Sequence, residues 1–142
     1  MIIKNIVVHA TDTFPDMDIG ADWIRNVHVN ENGWRDIGYH YVIRRNGDLE
    51  IGRRCEEGKN YVAGAHTLGL NAASIGIAVV GGKARSGELA CNFTRHQWAA
   101  LEQLWRILSI EYPEAKWSGH NDHDKSKQCP TFDVEVWINE VT

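Results

Sequence analysis

Histidine and cysteine carry most of the chemistry open to this chain, and their placement is uneven. The 142 residues include seven histidines and three cysteines. His9 closes the apolar run that starts at Ile2, while His120 and Cys129 bracket one polar loop, Gly119 to Pro130, which also holds His123. An open sheet presents its functional loops at the C-terminal ends of its strands. A strand-end histidine with a loop histidine and a loop cysteine could therefore supply three ligands to a tetrahedral zinc, the fourth position staying open to water. No H-E-x-x-H or paired C-x-x-C occurs, so spacing alone leaves this one hypothesis among three. The others are a nucleophilic Cys–His pair and histidines that are merely surface or core residues. Three cysteines at wide spacing argue against a disulfide framework, and Cys55 and Cys91 read as small buried apolar residues.

The elements that must position these residues follow from periodicity. Ile2 to His9 is β-branched and apolar, a buried strand. Ile19, Trp23 and Val27 recur every fourth residue and predict an amphipathic helix from about Asp18 to Asn30, stopped by Asn32-Gly33. Asn46-Gly47 between Tyr39–Arg44 and Leu49–Arg53 predicts a hairpin. Ser74 to Val80, ending at Gly81-Gly82, reads as a central strand. Thr94-x-x-Gln97 is a capping box. Trp98, Leu101, Leu104, Trp105, Leu108 and Tyr112 then follow helical spacing as far as Pro113, which marks a core-facing helix. Lys116 to Ser118 reads as a short strand, residues 119–130 as a loop, and Asp133 as the cap of a last helix running to about Val141. No linker or repeat divides the chain. The expected fold is α/β: one domain, residues 1–142, with a mixed central sheet flanked by about three helices.

Composition removes several functions. A formal charge of −4 without a basic run makes nucleic acid an unsuitable partner. No apolar stretch is long enough to span a membrane. The N-terminus lacks the basic start, long apolar stretch and cleavage site of a secretory signal, which predicts synthesis in the cytoplasm without export. No heptad or long apolar stripe suggests a dimer, so a monomer is expected. Six tryptophans lean towards an aromatic groove. Trp34 is a candidate to stack on sugar or peptide at its edge, the alternative being packing beneath the following strand.

Five blocks occur in order: Val8-His9-Ala10, Gly33 to Tyr41, Gly64-Ala65-His66, Asn71-x-x-Ser74-Ile75-Gly76-Ile77, and the Gly119-His120 loop ending in Lys127-Gln128-Cys129-Pro130. Together they resemble the N-acetylmuramoyl-L-alanine amidases of the type-2 amidase and peptidoglycan-recognition-protein family, and most nearly the short phage lysozymes with amidase activity. The likeness runs from about Ile6 to Trp137. It implies zinc held by His9, His120 and Cys129, a catalytic Tyr39 and Lys127, and a substrate groove bordered by His66 and Asn71. It also implies a mixed sheet flanked by helices, and bacterial peptidoglycan as the substrate. The implied reaction is hydrolysis of the amide between N-acetylmuramic acid and L-alanine, by an endolysin released to the wall from the host cytoplasm. A cytosolic wall-recycling amidase would carry the same site. A non-catalytic peptidoglycan-binding module is the rival class, and such members typically lack the cysteine. The likeness begins almost at Met1, without the N-terminal extension a relative can use for a protein partner, so none is expected. In one departure, the interval from His120 to Cys129 is one residue longer than in the nearest members. His123 lies inside it and stands as the alternative ligand to His120. Asp122 and Asp124 read as solvated charges or as partners of a ligating histidine.

Overall fold

The apolar runs become the middle of a five-stranded sheet. In the computed structural model, which describes residues 2–54, 56–57 and 60–142 (without the side chains of 56, 57, 60 and 61), the strands are β1 (Asn5–Ala10), β2 (Tyr41–Ile43), β3 (Leu49–Ile51), β4 (Glu56–Glu57), β5 (Asn60–Tyr61), β6 (Ser74–Val79) and β7 (Lys116–Gly119). The helices are α1 (Ala21–Asn26), α2 (Arg95–Glu111) and α3 (Val134–Val141). The main sheet has the order β3-β2-β6-β1-β7, and β4 and β5 form a separate pair. β1 runs parallel to both β6 and β7, β2 runs parallel to β6, and the β2–β3 hairpin is antiparallel. The sheet is therefore mixed, flanked by three helices, as expected.

Burial explains the order. All six residues of β6 and five of the six in β1 are buried, the pattern of strands covered on both faces. Side chains alternate along a strand, so Ile6, Val8 and Ala10 join Ile75, Ile77 and Val79 on one face, under Leu101, Leu104 and Leu108 of α2 and Trp137 of α3. Val7 and His9 then point to the opposite face, where Ala21 and Ile24 of α1 pack with Ile37, Val42 and Val80. This alternation sets the one ionisable residue of β1's interior on the side away from the large core.

The capping box forms with both of its bonds. Thr94 Oγ1 accepts the Gln97 N–H at 3.1 Å and Gln97 Oε1 accepts the Thr94 N–H at 3.0 Å. Gln97 does more than cap, because it is fully buried. Its amide donates to Val80 O and Ile43 O, and its oxygen also accepts from Arg45. A buried amide must satisfy its donors, so this residue ties α2 to two strands at once.

Three expectations change. The first helix is shorter than its apolar spacing suggested: α1 ends at Asn26 and the chain continues as a π-helical turn over Val27–Glu31. Its core side is Ala21 and Ile24, while Trp23 is 43% exposed, because the segment leans its larger ring over a groove. The hairpin closes through a longer loop than Asn-Gly alone implies. Only Gly47 takes a positive φ (+92°), and Arg44 N–H donates to Asp48 O across the turn. Cys91 is exposed rather than buried, since it lies on the connection between β6 and α2, where none of residues 83–92 is buried. The expectation for Cys55 falls outside the described residues.

Candidate active site

His9 sits near the end of β1, paired with Ala78 of β6, and one strand over the β7 ladder ends at Gly119, the residue before His120. The loop after β7 turns as a 3-10 segment, His120–Asp122, held by the Asp122 carboxylate accepting the Gly119 N–H at 2.8 Å. It returns to β1 through Cys129. The Ala10 N–H donates to Cys129 Sγ at 3.1 Å, and the Asn121 N–H donates to Cys129 O at 2.7 Å. One ligand atom from each of His9, His120 and Cys129 lies within 4.8 Å of the other two. His123 takes no part in this group, and its Nε2 lies 2.7 Å from Ser118 Oγ instead. The aspartates serve the loop: Asp122 as above, and Asp124 by accepting from Ser126 N–H and Oγ.

The chemistry of this donor set fits zinc. Burial, with His66, His120 and His123 nearby, holds His9 well below the usual imidazole range, and burial likewise lowers His120. Neutral imidazoles are the form that binds a metal. Burial pushes the Cys129 thiol up to about 11, against the Ala10 hydrogen bond and Lys127, which favour the thiolate. A thiol so inert is a poor nucleophile in the absence of metal, which weighs against the Cys–His reading. Two nitrogens and one sulfur from three residues also match the ligand count of hydrolytic zinc sites, which leave one position open.

Around the three donors lie the other sequence candidates. The Tyr39 ring is 5.2 Å from that of His9, and burial, then Cys129, raises its pKa, so the phenol keeps its proton. Lys127 is exposed and lines cavities on both sides of the loop. One is of about 310 Å³, shared with Trp34, His66, Asn71 and His120, and the other, of about 250 Å³, is shared with Ala10, Asp12 and Cys129. Trp34 stands 38% exposed at the rim of the larger one, its ring 4.6 Å from that of His28, so it edges the groove instead of packing beneath a strand. His66 is only 8% exposed and Asn71 Oδ1 is spent on the His66 and Thr67 N–H groups, so both build the groove wall.

Sequence reasoning passed over His28, Thr67 and Asp12. His28 Nδ1 accepts the Gly38 N–H at 2.9 Å, and its ring lies between Trp34 and Tyr39. Thr67 Oγ1 touches two histidines, and Asp12, with φ +57°, lies between two cavities beside Cys129. Only the position of Asp12, three residues after His9, was a usable signal. The other two depend on contacts across the sheet.

One buried histidine outside the donor set has a consequence for stability. His40 is fully buried; its Nδ1 accepts the Gly76 N–H at 3.0 Å and its Nε2–H donates to Val62 O at 2.8 Å. Burial lowers its pKa, the Val62 carbonyl opposes this, and Arg53 adds to it. The folded protein then stays unprotonated at His40 while the unfolded chain takes up a proton below its ordinary 6.5. Its contribution is complete above that pH and is lost as pH falls through the depressed folded value. Urea unfolding of metal-free protein between pH 7.5 and 5.5 should show stability falling with acid. In His40→Gln that slope should be shallower by up to about 1.4 kcal/mol per pH unit. An unchanged slope would mean His40 titrates normally in the fold.

A mixed sheet that gathers two imidazoles and a thiol at the C-terminal end of a central strand has the build of a hydrolytic metal centre. The family profile of N-acetylmuramoyl-L-alanine amidases matches residues 1–132, and the chain belongs to that family. It is 39% identical over 131 residues to the endolysin of Enterobacteria phage K11, covering 92% of this chain and 82% of that one. Among solved structures it is similar to the endolysin of the Thermus scotoductus bacteriophage Ph2119, with a TM-score of 0.77 and 25% identity over 99% of this chain and 86% of the other. The N-acetylmuramoyl-L-alanine amidase LysC from Clostridium intestinale gives a TM-score of 0.75 at 29% identity, with the same coverage. Among the described residues no helix is long and apolar enough to cross a membrane.

Proposed function

We propose that the protein is a zinc-dependent endolysin that hydrolyses the amide between the lactyl group of N-acetylmuramic acid and L-alanine in bacterial peptidoglycan. The observation that carries this reading is the meeting of His9, His120 and Cys129 beside one groove, in a chain of the amidase family. His9, His120 and Cys129 would hold the metal. Bound zinc supplies Lewis acidity, lowering the pKa of water to about 7 and polarising a carbonyl.

The chain's own residues do the rest. The tetrahedral intermediate of amide hydrolysis carries negative charge on the former carbonyl oxygen. The Lys127 ammonium, on the loop that carries two of the donors, stabilises that charge as it develops. Tyr39, whose phenol stays protonated beside His9, acts as a hydrogen-bond donor that orients water or substrate and passes a proton. Trp34 at the rim offers a face for sugar or peptide, and His66 and Asn71 shape the wall. An enzyme of this kind reaches the wall once the inner membrane is breached.

The test is to incubate zinc-loaded protein with purified sacculi and assay the new chain ends. New L-alanine amino termini without new reducing sugars, lost on chelation, are expected. New reducing ends would identify a glycosidase and overturn the reading. Wall binding without cleavage would indicate a recognition module.

A further inference from the structure

We propose that His66 is a positioning residue for the metal centre. It accepts the Nε2–H of His9 and thereby fixes His9 in the tautomer whose Nδ1 lone pair is left for a metal shared with Cys129 and His120. The inference rests on the zinc reading of that cluster and adds to it a residue that does not ligate.

The observations form a chain of hydrogen bonds. His66 Nε2 lies 3.4 Å from the Ser74 hydroxyl, and the ring also has a backbone hydrogen bond with Ser74. The side of the ring facing Ser74 is Nε2; with the proton placed there to donate to Ser74, Nδ1 is left as an acceptor. His9 Nε2 lies 3.0 Å from that Nδ1 and 3.2 Å from Thr67 Oγ1. Two imidazole lone pairs in contact repel, so with Nδ1 of His66 as acceptor His9 donates from Nε2. The Thr67 hydroxyl, 2.9 Å from the same Nδ1, lies beside the pair. The Nδ1 of His9 then has no proton and is the nitrogen left for a metal. A ligating histidine usually gives its second N–H to a carboxylate, carbonyl or water. Here a neutral ring takes that place, which holds His9 in orientation without placing a second negative charge beside the Cys129 thiolate.

The slot for His66 is purpose-shaped. A Cβ on Gly76 would stand 2.5 Å from the His66 ring, and one on Gly64 would stand 2.8 Å from it. Asn71 Oδ1 accepts the backbone N–H groups of both His66 and Thr67, pinning the pair beneath the donor cluster. With 8% of its surface exposed, His66 has little left to offer a substrate. These features favour a residue that acts through His9.

The experiment measures zinc affinity by chelator competition for wild type, His66→Leu and His66→Gln. Cobalt(II) absorption and a kcat-against-KM comparison on soluble muropeptide accompany it. Wild type should bind one zinc. His66→Leu should bind about 10- to 100-fold more weakly with an altered cobalt spectrum, and His66→Gln, which keeps an acceptor, should recover much of the loss. Wild-type affinity in His66→Leu with a raised KM would make His66 a substrate contact and overturn the inference. Equal losses in both variants would show that only space-filling matters, with the same result. A wild type that binds no zinc would instead sink the zinc reading itself, and the inference with it. Nitrogen-15 spectra of the wild-type rings, zinc-loaded, need no variant. A proton on Nε2 of both His66 and His9 is expected, and a proton on His66 Nδ1 would overturn the assignment.

Discussion

Cys129→Ser is expected to abolish stoichiometric zinc binding at neutral pH and to lower amidase turnover on sacculi by about three orders of magnitude or more. A serine hydroxyl keeps nearly the same shape but does not ionise near neutrality, so the site would lose its only anionic donor and keep two neutral imidazoles. Lewis-acid stabilisation of an acyl-transfer transition state is worth several kcal/mol, and about 1.4 kcal/mol corresponds to each factor of ten. The fold should survive, because Cys129 sits at the groove and only borders the core, with its backbone held by Asn121. Metal analysis and end-group assays on the folded variant check both halves. Full activity in zinc-free Cys129→Ser would mean that the metal has no part in the chemistry.

Lys127→Ala and Tyr39→Phe should separate catalysis from metal binding. Removing one donor aimed at a developing oxyanion commonly costs a factor of about 10² to 10³ in kcat. Lys127→Ala should show a loss of that size with zinc content and unfolding temperature unchanged, since the side chain is exposed. Tyr39→Phe removes one hydroxyl from a ring that still packs against His9 and His28. It should also lower kcat while leaving zinc in place. An increase confined to KM in either variant would make that residue a binding group and shift the charge-stabilising role elsewhere. Loss of zinc in Lys127→Ala would show that the ammonium serves the thiolate, which it does favour electrostatically, more than the substrate.

Much of this was readable in advance because local signals and global fold agree. The β-branched runs at residues 5–10 and 74–79 became the two central strands, and Thr94-x-x-Gln97 opened α2 through the reciprocal bonds its spacing implies. The first helix was misjudged because spacing reports which residues share a face and says nothing of what that face meets. Trp23 faces a groove, and the smaller Ala21 and Ile24 face the core. The choice between His120 and His123 was open for the same reason, as both lie in one loop within three residues of each other.

By itself the sequence determined most of the strand, helix and turn segments, the supply of imidazole, thiol, phenol and ammonium groups, and, through five ordered blocks, the family. These are properties of local propensity and residue identity, which need no partner. The tertiary structure alone decided which histidine joins His9 and Cys129 and which turns away to Ser118. It also decided that His66 and Asn71 lie in the wall behind the donors, and that Gly76 and Gly64 leave room for a ring. Each of those depends on where strands far apart in the chain fall side by side. Register across β1, β6 and β7 is set by the packing of the whole sheet, not by any segment within it.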